Sequence, residues 1–144
     1  MDRWSDALDD GALHWAVVED GRPVAAARMT VHADWAALPD CVLADGHAAP
    51  DFAGPLASLN RLFVLKSHAR LGLSALLDDV RIARARDMGC SHVIGRTNSS
   101  APRLGVLTAK GFVAIGPARD YASGPLGDYI ATQDGVETLV ALRL

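Results

Sequence analysis

The stretch VLKSHARLGLSALLDDV, Val64 to Val80, decides the reading. An apolar run ends at Lys66, a polar turn carries Arg70 and Gly72, and an amphipathic run begins at Leu73. Leu73, Leu76, Leu77, Val80 and Ala83 recur at helical spacing, which predicts a helix from about Gly72 to Met88, closed by Gly89. SLNRLFVLK (Ser58 to Lys66) predicts a strand before the turn, and SHVIGRT (Ser91 to Thr97) predicts another after the helix. Strand, helix and strand make a crossover unit, right-handed with parallel strands. Ligands of such units sit at the carboxyl end of the first strand. There the first-turn amides of the helix lack partners and the helix dipole is positive, so an anion can be held if the backbone comes close. Gly72 carries no side chain to block that approach, Ser74 is small and Arg70 adds a charge. The pattern fits a diphosphate cradle, and equally a tight turn that needs glycine for its own geometry.

Upstream, LHWAVVED (Leu13 to Asp20) alternates as a strand and RPVAAARMTVH (Arg22 to His32) returns. Asp20-Gly21 between them is a hairpin signal. Residues 3 to 9 fit a short helix. Residues 33 to 56 form a long irregular connection. Downstream, Asn98 to Pro102 reads as a helix start, with serine able to cap and Pro102 in the first turn, and the helix stops at Gly111. FVAIG (Phe112 to Gly116) and ETLVALRL (Glu137 to Leu144) are the last strands, separated by a Gly/Pro-containing segment over 117 to 135. The order is (α)-β-β-β-α-β-α-β-β. The fold class is mixed α/β, antiparallel in its first half.

With 144 residues, half of them hydrophobic, the chain has material for one domain over 1–144 with one core. A net charge of −3 without lysine or arginine runs gives nucleic acid no support as a partner. No apolar run approaches the roughly 20 residues that span a bilayer, so no membrane partner is expected. The acidic start, MDRWSDALDD, is not a signal peptide. Cys41 and Cys90, in no metal-ligand spacing, point to a reduced, cytoplasmic protein without a metal.

The sequence of elements, with an Arg-x-Gly-x-small turn, an Asn-led second helix and Lys110-Gly111-Phe112 before the next strand, resembles the Gcn5-related N-acetyltransferase (GNAT) superfamily over roughly residues 12 to 116. In that family a Gln/Arg-x-x-Gly-x-Gly/Ala loop grips the pyrophosphate of acyl-CoA. The corresponding residues are Ala69, Arg70, Leu71, Gly72, Leu73 and Ser74. The central glycine matches, alanine stands first with Arg70 beside it, and serine stands last. Asn98 matches an asparagine that contacts the pantetheine arm. The resemblance implies splayed central strands, Ser58–Lys66 and Ser91–Thr97, with the pantetheine arm filling the gap. It also implies backbone amides near Phe63, Val64 and Leu65 that hold the thioester carbonyl, and acetyl-CoA or another acyl-CoA as co-substrate. Only about a dozen residues precede the first strand, so the family's N-terminal strand and helix region is shortened. That leaves an edge for a partner subunit, a homodimer being one option.

The implied reaction is direct attack of an amine, on a small molecule or a peptide, on the thioester. An aliphatic amine has a pKa of about 10.4, and reaching its neutral form at pH 7 costs on the order of 4 kcal/mol, so a general base helps. Many members carry a glutamate in the central strand, but Ser58-Leu59-Asn60-Arg61 has none; many carry a tyrosine before Gly-Phe, where this chain has Gly105 and Leu107. Tyr121, Tyr129, His32 and Asp34 are the candidates to substitute. His68 is placed to meet a CoA phosphate and Trp35 to line an acceptor pocket, and Asp78-Asp79 with Arg81, Arg84 and Arg86 reads as a solvated helix face. Two alternatives stand beside the acetyltransferase. One is an acyl-CoA-binding or partner-binding module without turnover. The other is an enzyme using a longer acyl-CoA or an acyl carrier protein, docked by Lys66, Arg70 and Arg103.

Overall fold

The computed structural model describes residues 6–39, 41–98, 102–119 and 137–144. β1 (Leu13–Glu19) and β2 (Arg22–His32) form the hairpin. Its corner residues, Asp20 and Gly21, have φ of 48° and 75°, the positive values a tight type I′ corner requires. β3 (Leu56–Val64), α1 (Leu73–Asp87) and β4 (His92–Asn98) make the crossover, followed by α2 (Pro102–Ala109), β5 (Val113–Pro117) and β6 (Glu137–Arg143). Among the described residues the sheet has six strands in the order β1-β2-β3-β4-β6-β5, parallel between β3 and β4 and antiparallel at the other junctions.

Most elements lie within two residues of where the sequence places them. β3 stops at Val64 rather than Lys66, because Lys66–His68 closes into a 3-10 turn. Asn98, read as part of a helix start, is instead the last residue of β4 and lies buried. Of the expected N-terminal helix, only a 3-10 turn at Asp9–Gly11 is found among the described residues.

Strand alternation divides the core in two. Met29, Ala57, Val93 and Val140 point to the face covered by α1 and α2, where Ile82, Ala85 and Leu107 meet them. Leu56, Ile94, Leu139 and Ala141 point to the other face. The long connection after β2 covers that face with Leu38, Cys41, Leu43, Trp35 and Phe52. Its segment around Leu43 bridges Ala118, so part of the irregular connection docks beside the end of β5.

The burial of α1 corrects one reading. Asp78 and Arg81 are 0% and 1% exposed, whereas Leu76 is half exposed. Asp78 accepts from Arg81 at 2.8 Å and from both terminal nitrogens of Arg103, on α2, at 2.5 and 2.7 Å. Arg81 also donates to the Arg28 carbonyl on β2 at 3.0 Å. A buried carboxylate with two guanidiniums satisfies groups that would be too costly to bury singly. The network ties α1, α2 and β2 together, and it occupies Arg103, which is no longer available to dock a carrier protein. Asp79, Arg84 and Arg86 remain on the exposed face.

Asp78→Ala leaves two guanidiniums without their carboxylate and should cost about 3–5 kcal/mol of stability. The urea midpoint measures this; a loss below about 1 kcal/mol, the level of a surface pair, would contradict the assignment.

Candidate active site

The parallel ladder between β3 and β4 stops early. It pairs Leu56, Ala57, Ser58 and Leu59 with His92, Val93, Ile94 and Gly95, and no further. At that point β3 shifts register against β2: Ala27 opposes Leu62 while Arg28 opposes Asn60, leaving Arg61 as an extra residue with φ of 63°. Such a bulge bends and twists its strand. β3 beyond Leu59 stays with β2, β4 stays with β6, and a gap opens between them.

Hydrogen-bond alternation tells which amides face the gap. Leu65 donates to the Val24 carbonyl at 2.9 Å, which makes that pair, and the in-register Phe63–Ala26 pair, the bonded ones. The non-bonded positions, Leu62 and Val64, therefore turn their N–H and C=O away from β2 toward the gap. Of the three amides expected there, that of Val64 faces the gap. Phe63 and Leu65 are committed to β2, and Leu62 joins instead.

Past Val64 the chain turns through Ala69 to Gly72. Arg70 and Gly72 have φ of 64° and 79°, and Gly72 starts α1 without a side-chain cap. The first intrahelical bond is Leu76 to the Gly72 carbonyl, so the amides of Leu73, Ser74 and Ala75 have no partner within the helix. A Cβ on Gly72 would meet no atom of the described residues within 4 Å. Positive φ explains the glycine, and no described residue fills the space at its Cβ position.

A cleft of about 240 Å³ opens where the strands part, on the face away from the helices. Ser58, Asn60 and Arg61 form one wall, Arg96 and Glu137 the other, and Cys41 comes from the long connection. Behind the first wall runs a polar chain along β2 and β3. The buried Arg28 donates from Nη1 to Asp6 at 2.7 Å and to Asp9 at 2.8 Å, and from Nε to Asn60. Asn60 donates to Thr30 Oγ1 at 2.7 Å, and Thr30 meets His32 Nε2 at 2.7 Å. Asn60 is thus used at both ends of its amide. On the other wall, Arg96 donates from Nε to Glu137 Oε2 at 3.2 Å.

The other candidates fall in distinct places. His32 is linked to the cleft through Thr30 and Asn60 rather than lining it. Asp34 accepts from the Ala37 amide at 3.0 Å and caps a 3-10 turn. His68 pairs with Glu19 at 2.6 Å, and Trp35 packs edge-on against Phe52 instead of lining the cleft. Leu107, at the family's tyrosine position, is core. Tyr121 and Tyr129 lie outside the described residues. Among the described residues no group of His, Cys, Asp or Glu is arranged to hold a metal, and no helix is long and apolar enough to cross a membrane.

Glu137 and the Arg28–Asn60–Thr30 chain were not singled out from the sequence. The signal was there for the latter: Arg28, Thr30 and His32 alternate with Met29 and Val31 in a strand otherwise apolar. Glu137 begins its strand and carries no local pattern.

The electrostatics follow the geometry. Hydrogen bonds from Arg28 hold Asp6 and Asp9 below the usual carboxylate range. Burial pushes the Cys90 thiol up, in keeping with a core thiol. Burial lowers His32, and burial with the nearby Arg143 lowers His92, which stacks on Phe52 at 3.8 Å.

The same fold occurs in solved acetyltransferases. The ribosomal-protein-S18-alanine N-acetyltransferase from Escherichia coli superposes with a TM-score of 0.62 at 18% identity, over 93% of this chain and 70% of that one. A Bacillus subtilis acetyltransferase in complex with CoA gives 0.64 at 12%, over 94% and 79%. A GNAT family acetyltransferase from Elizabethkingia anophelis with acetyl-CoA bound gives 0.66 at 10%, over 95% and 79%. No curated protein matches the sequence. An opened parallel pair beside a glycine-started helix is thus carried on an acetyltransferase fold. The sequence profile of the Acetyltransferase (GNAT) family matches residues 1–112, and the chain belongs to that family. Membership makes it a GNAT-family acetyltransferase.

A histidine lowered in the folded state contributes stability above its unfolded pKa near 6.5 and loses it as pH falls below that value. Asp6 and Asp9, also lowered, stay ionised through this window. The urea midpoint should therefore fall between about pH 7 and pH 5. It should fall less in a His32→Gln/His92→Phe variant; equal slopes in the two proteins would contradict the assignment.

Proposed function

We propose that this chain, acting as one unit, transfers an acetyl group from acetyl-CoA to an amine that enters through the Arg61–Glu137 cleft. The observation that carries this reading is the alignment of three openings. They are the amides of Leu73, Ser74 and Ala75, which have no partner among the described residues, the gap edged by Leu62 and Val64, and the cleft beside it.

The pyrophosphate of the donor takes the helix amides, with Ala69, Arg70, Leu71 and Gly72 shaping the turn around it. The pantetheine arm lies in the gap as a surrogate strand, with Leu62 and Val64 on one side and Asn98 on the other. An amide pointing at the thioester oxygen stabilises charge that grows in the transition state, worth about 3–4 kcal/mol per donor. The acceptor nitrogen attacks the carbonyl carbon, and the carbon–sulfur bond breaks as CoA leaves. Juxtaposing the two substrates supplies much of the rate, since effective molarities reach about 10⁵–10⁸ M.

The acceptor is an amine of a small molecule or a peptide; a related complex is solved with a peptide and CoA. The buried Cys90, in no disulfide, favours a cytoplasmic setting. The outer edge of β1, which pairs with no strand among the described residues, offers a second copy a place to dock as a homodimer.

CoA at about 100 times its dissociation constant should stabilise the protein by about 2.7 kcal/mol. Gly72→Asp should abolish that gain, because a carboxylate would stand where the phosphates bind. The fold should survive, since aspartate tolerates positive φ at a cost of about 1 kcal/mol and no described residue lies within 4 Å of the new Cβ. Thermal denaturation with and without CoA reads both effects. Full stabilisation of the variant, or none of the wild type, would overturn the reading; stabilisation without thiol release from acetyl-CoA and any amine would leave a binding module.

A further inference from the structure

We propose that Glu137 is the group that receives the acceptor's amine, so that the acceptors are amines protonated at neutral pH; this deepens the acetyltransferase reading above and rests on it. Four observations converge on this side chain. Glu137 lines the cleft and carries the only carboxylate among the described residues that do so. Its register partner is Asn98, the last residue of β4, which puts Glu137 at the mouth of the gap rather than at the closed end. Arg96 pins Oε2 at 3.2 Å, while Oε1 accepts no hydrogen bond from any described residue. Both side chains are only 15% exposed, so a charge offered to a ligand here is screened less than on open surface.

The other groups near the cleft do not fill this role. Asn60 donates to Thr30 and accepts from Arg28, and an amide neither binds nor releases protons at neutral pH. His32 stands behind Thr30, and that same amide separates it from the cleft, so no proton can pass along the chain. Asp6 and Asp9 are held by Arg28.

The acceptor arrives as an ammonium and donates a hydrogen bond to Oε1. One proton passes to Glu137 and on to solvent. The freed lone pair forms the carbon–nitrogen bond while the carbon–sulfur bond breaks. The proton that the attacking nitrogen then sheds ends on the CoA sulfur. The products are the amide, CoA thiol and one proton, which balances the reaction. Arg96 holds the carboxylate in place and is a positioning residue.

The test uses the full chain with acetyl-CoA and a panel of spermidine, kanamycin and an α-amino peptide, following thiol release. With the best acceptor of the panel, Glu137→Gln should lower kcat/KM by about 100-fold or more, the range of a lost general base. Its CoA affinity should be unchanged by calorimetry, and Glu137→Asp should restore part of the rate. The deficit of Glu137→Gln should shrink between about pH 7 and pH 9.5, because alkaline solution supplies the neutral amine without help. A variant within about threefold of wild type, well short of that range, overturns the assignment while the acetyltransferase reading stands. So does a deficit constant across pH, which marks a side chain that only holds Arg96 and β6. Wild-type protein inert toward the whole panel overturns the assignment of cationic acceptors; failure to bind CoA as well removes the parent reading with it.

Discussion

The structure depends on one interrupted ladder. Two parallel strands that paired along their full length would leave no room for a ligand, and β3 and β4 begin as such a pair. The extra residue at Arg61 ends it. A non-glycine residue at positive φ costs on the order of 1 kcal/mol, and it persists only where its surroundings hold it. Here they do. Arg28 grips Asn60 immediately before the bulge, and Asp6 pairs with both Arg28 and Arg61. From the opposite face Arg81 reaches the Arg28 carbonyl. The bulge is fixed from both sides of the sheet, and the amides of Leu62 and Val64 are thereby aimed at the gap.

The charged groups divide between two tasks. Asp78 with Arg81 and Arg103 is buried between the helices and the sheet, where a matched set satisfies itself and specifies how α1 and α2 sit. Arg96 with Glu137 is also mostly covered but lines a cleft. In the first set the carboxylate is fully buried and both its oxygens accept from Arg103, whereas in the second, one carboxylate oxygen accepts from no described residue. Position relative to the cleft, rather than the presence of an ion pair, separates structural charge from chemical charge here.

Much of the architecture was legible in the chain. Asp20-Gly21 marked the hairpin, the apolar spacing after Gly72 marked α1, and Gly72 itself marked the strand-to-helix turn. The opening of the central strands was legible only through family likeness, because Arg61 carries no local sign that its φ is positive. The burial of Asp78 and Arg81 was misread for a related reason. Three-residue spacing of opposite charges fits a solvated face, and only Arg103, 25 residues away, makes it a buried one. Glu137 was invisible because its significance comes from Asn98 and Arg96 across a strand pair, a non-local relation. The amide assignments needed the register with β2, in which a shift of one residue exchanges the groups that face the gap.

Hydrogen exchange of the backbone, with and without saturating CoA, tests the central claim most directly. The account predicts slowed exchange confined to two places: the amides of Leu62 and Val64, with Phe63 and Leu65 already protected by β2, and those of Leu73, Ser74 and Ala75. Binding of CoA that left all five unchanged, with protection elsewhere, would contradict it.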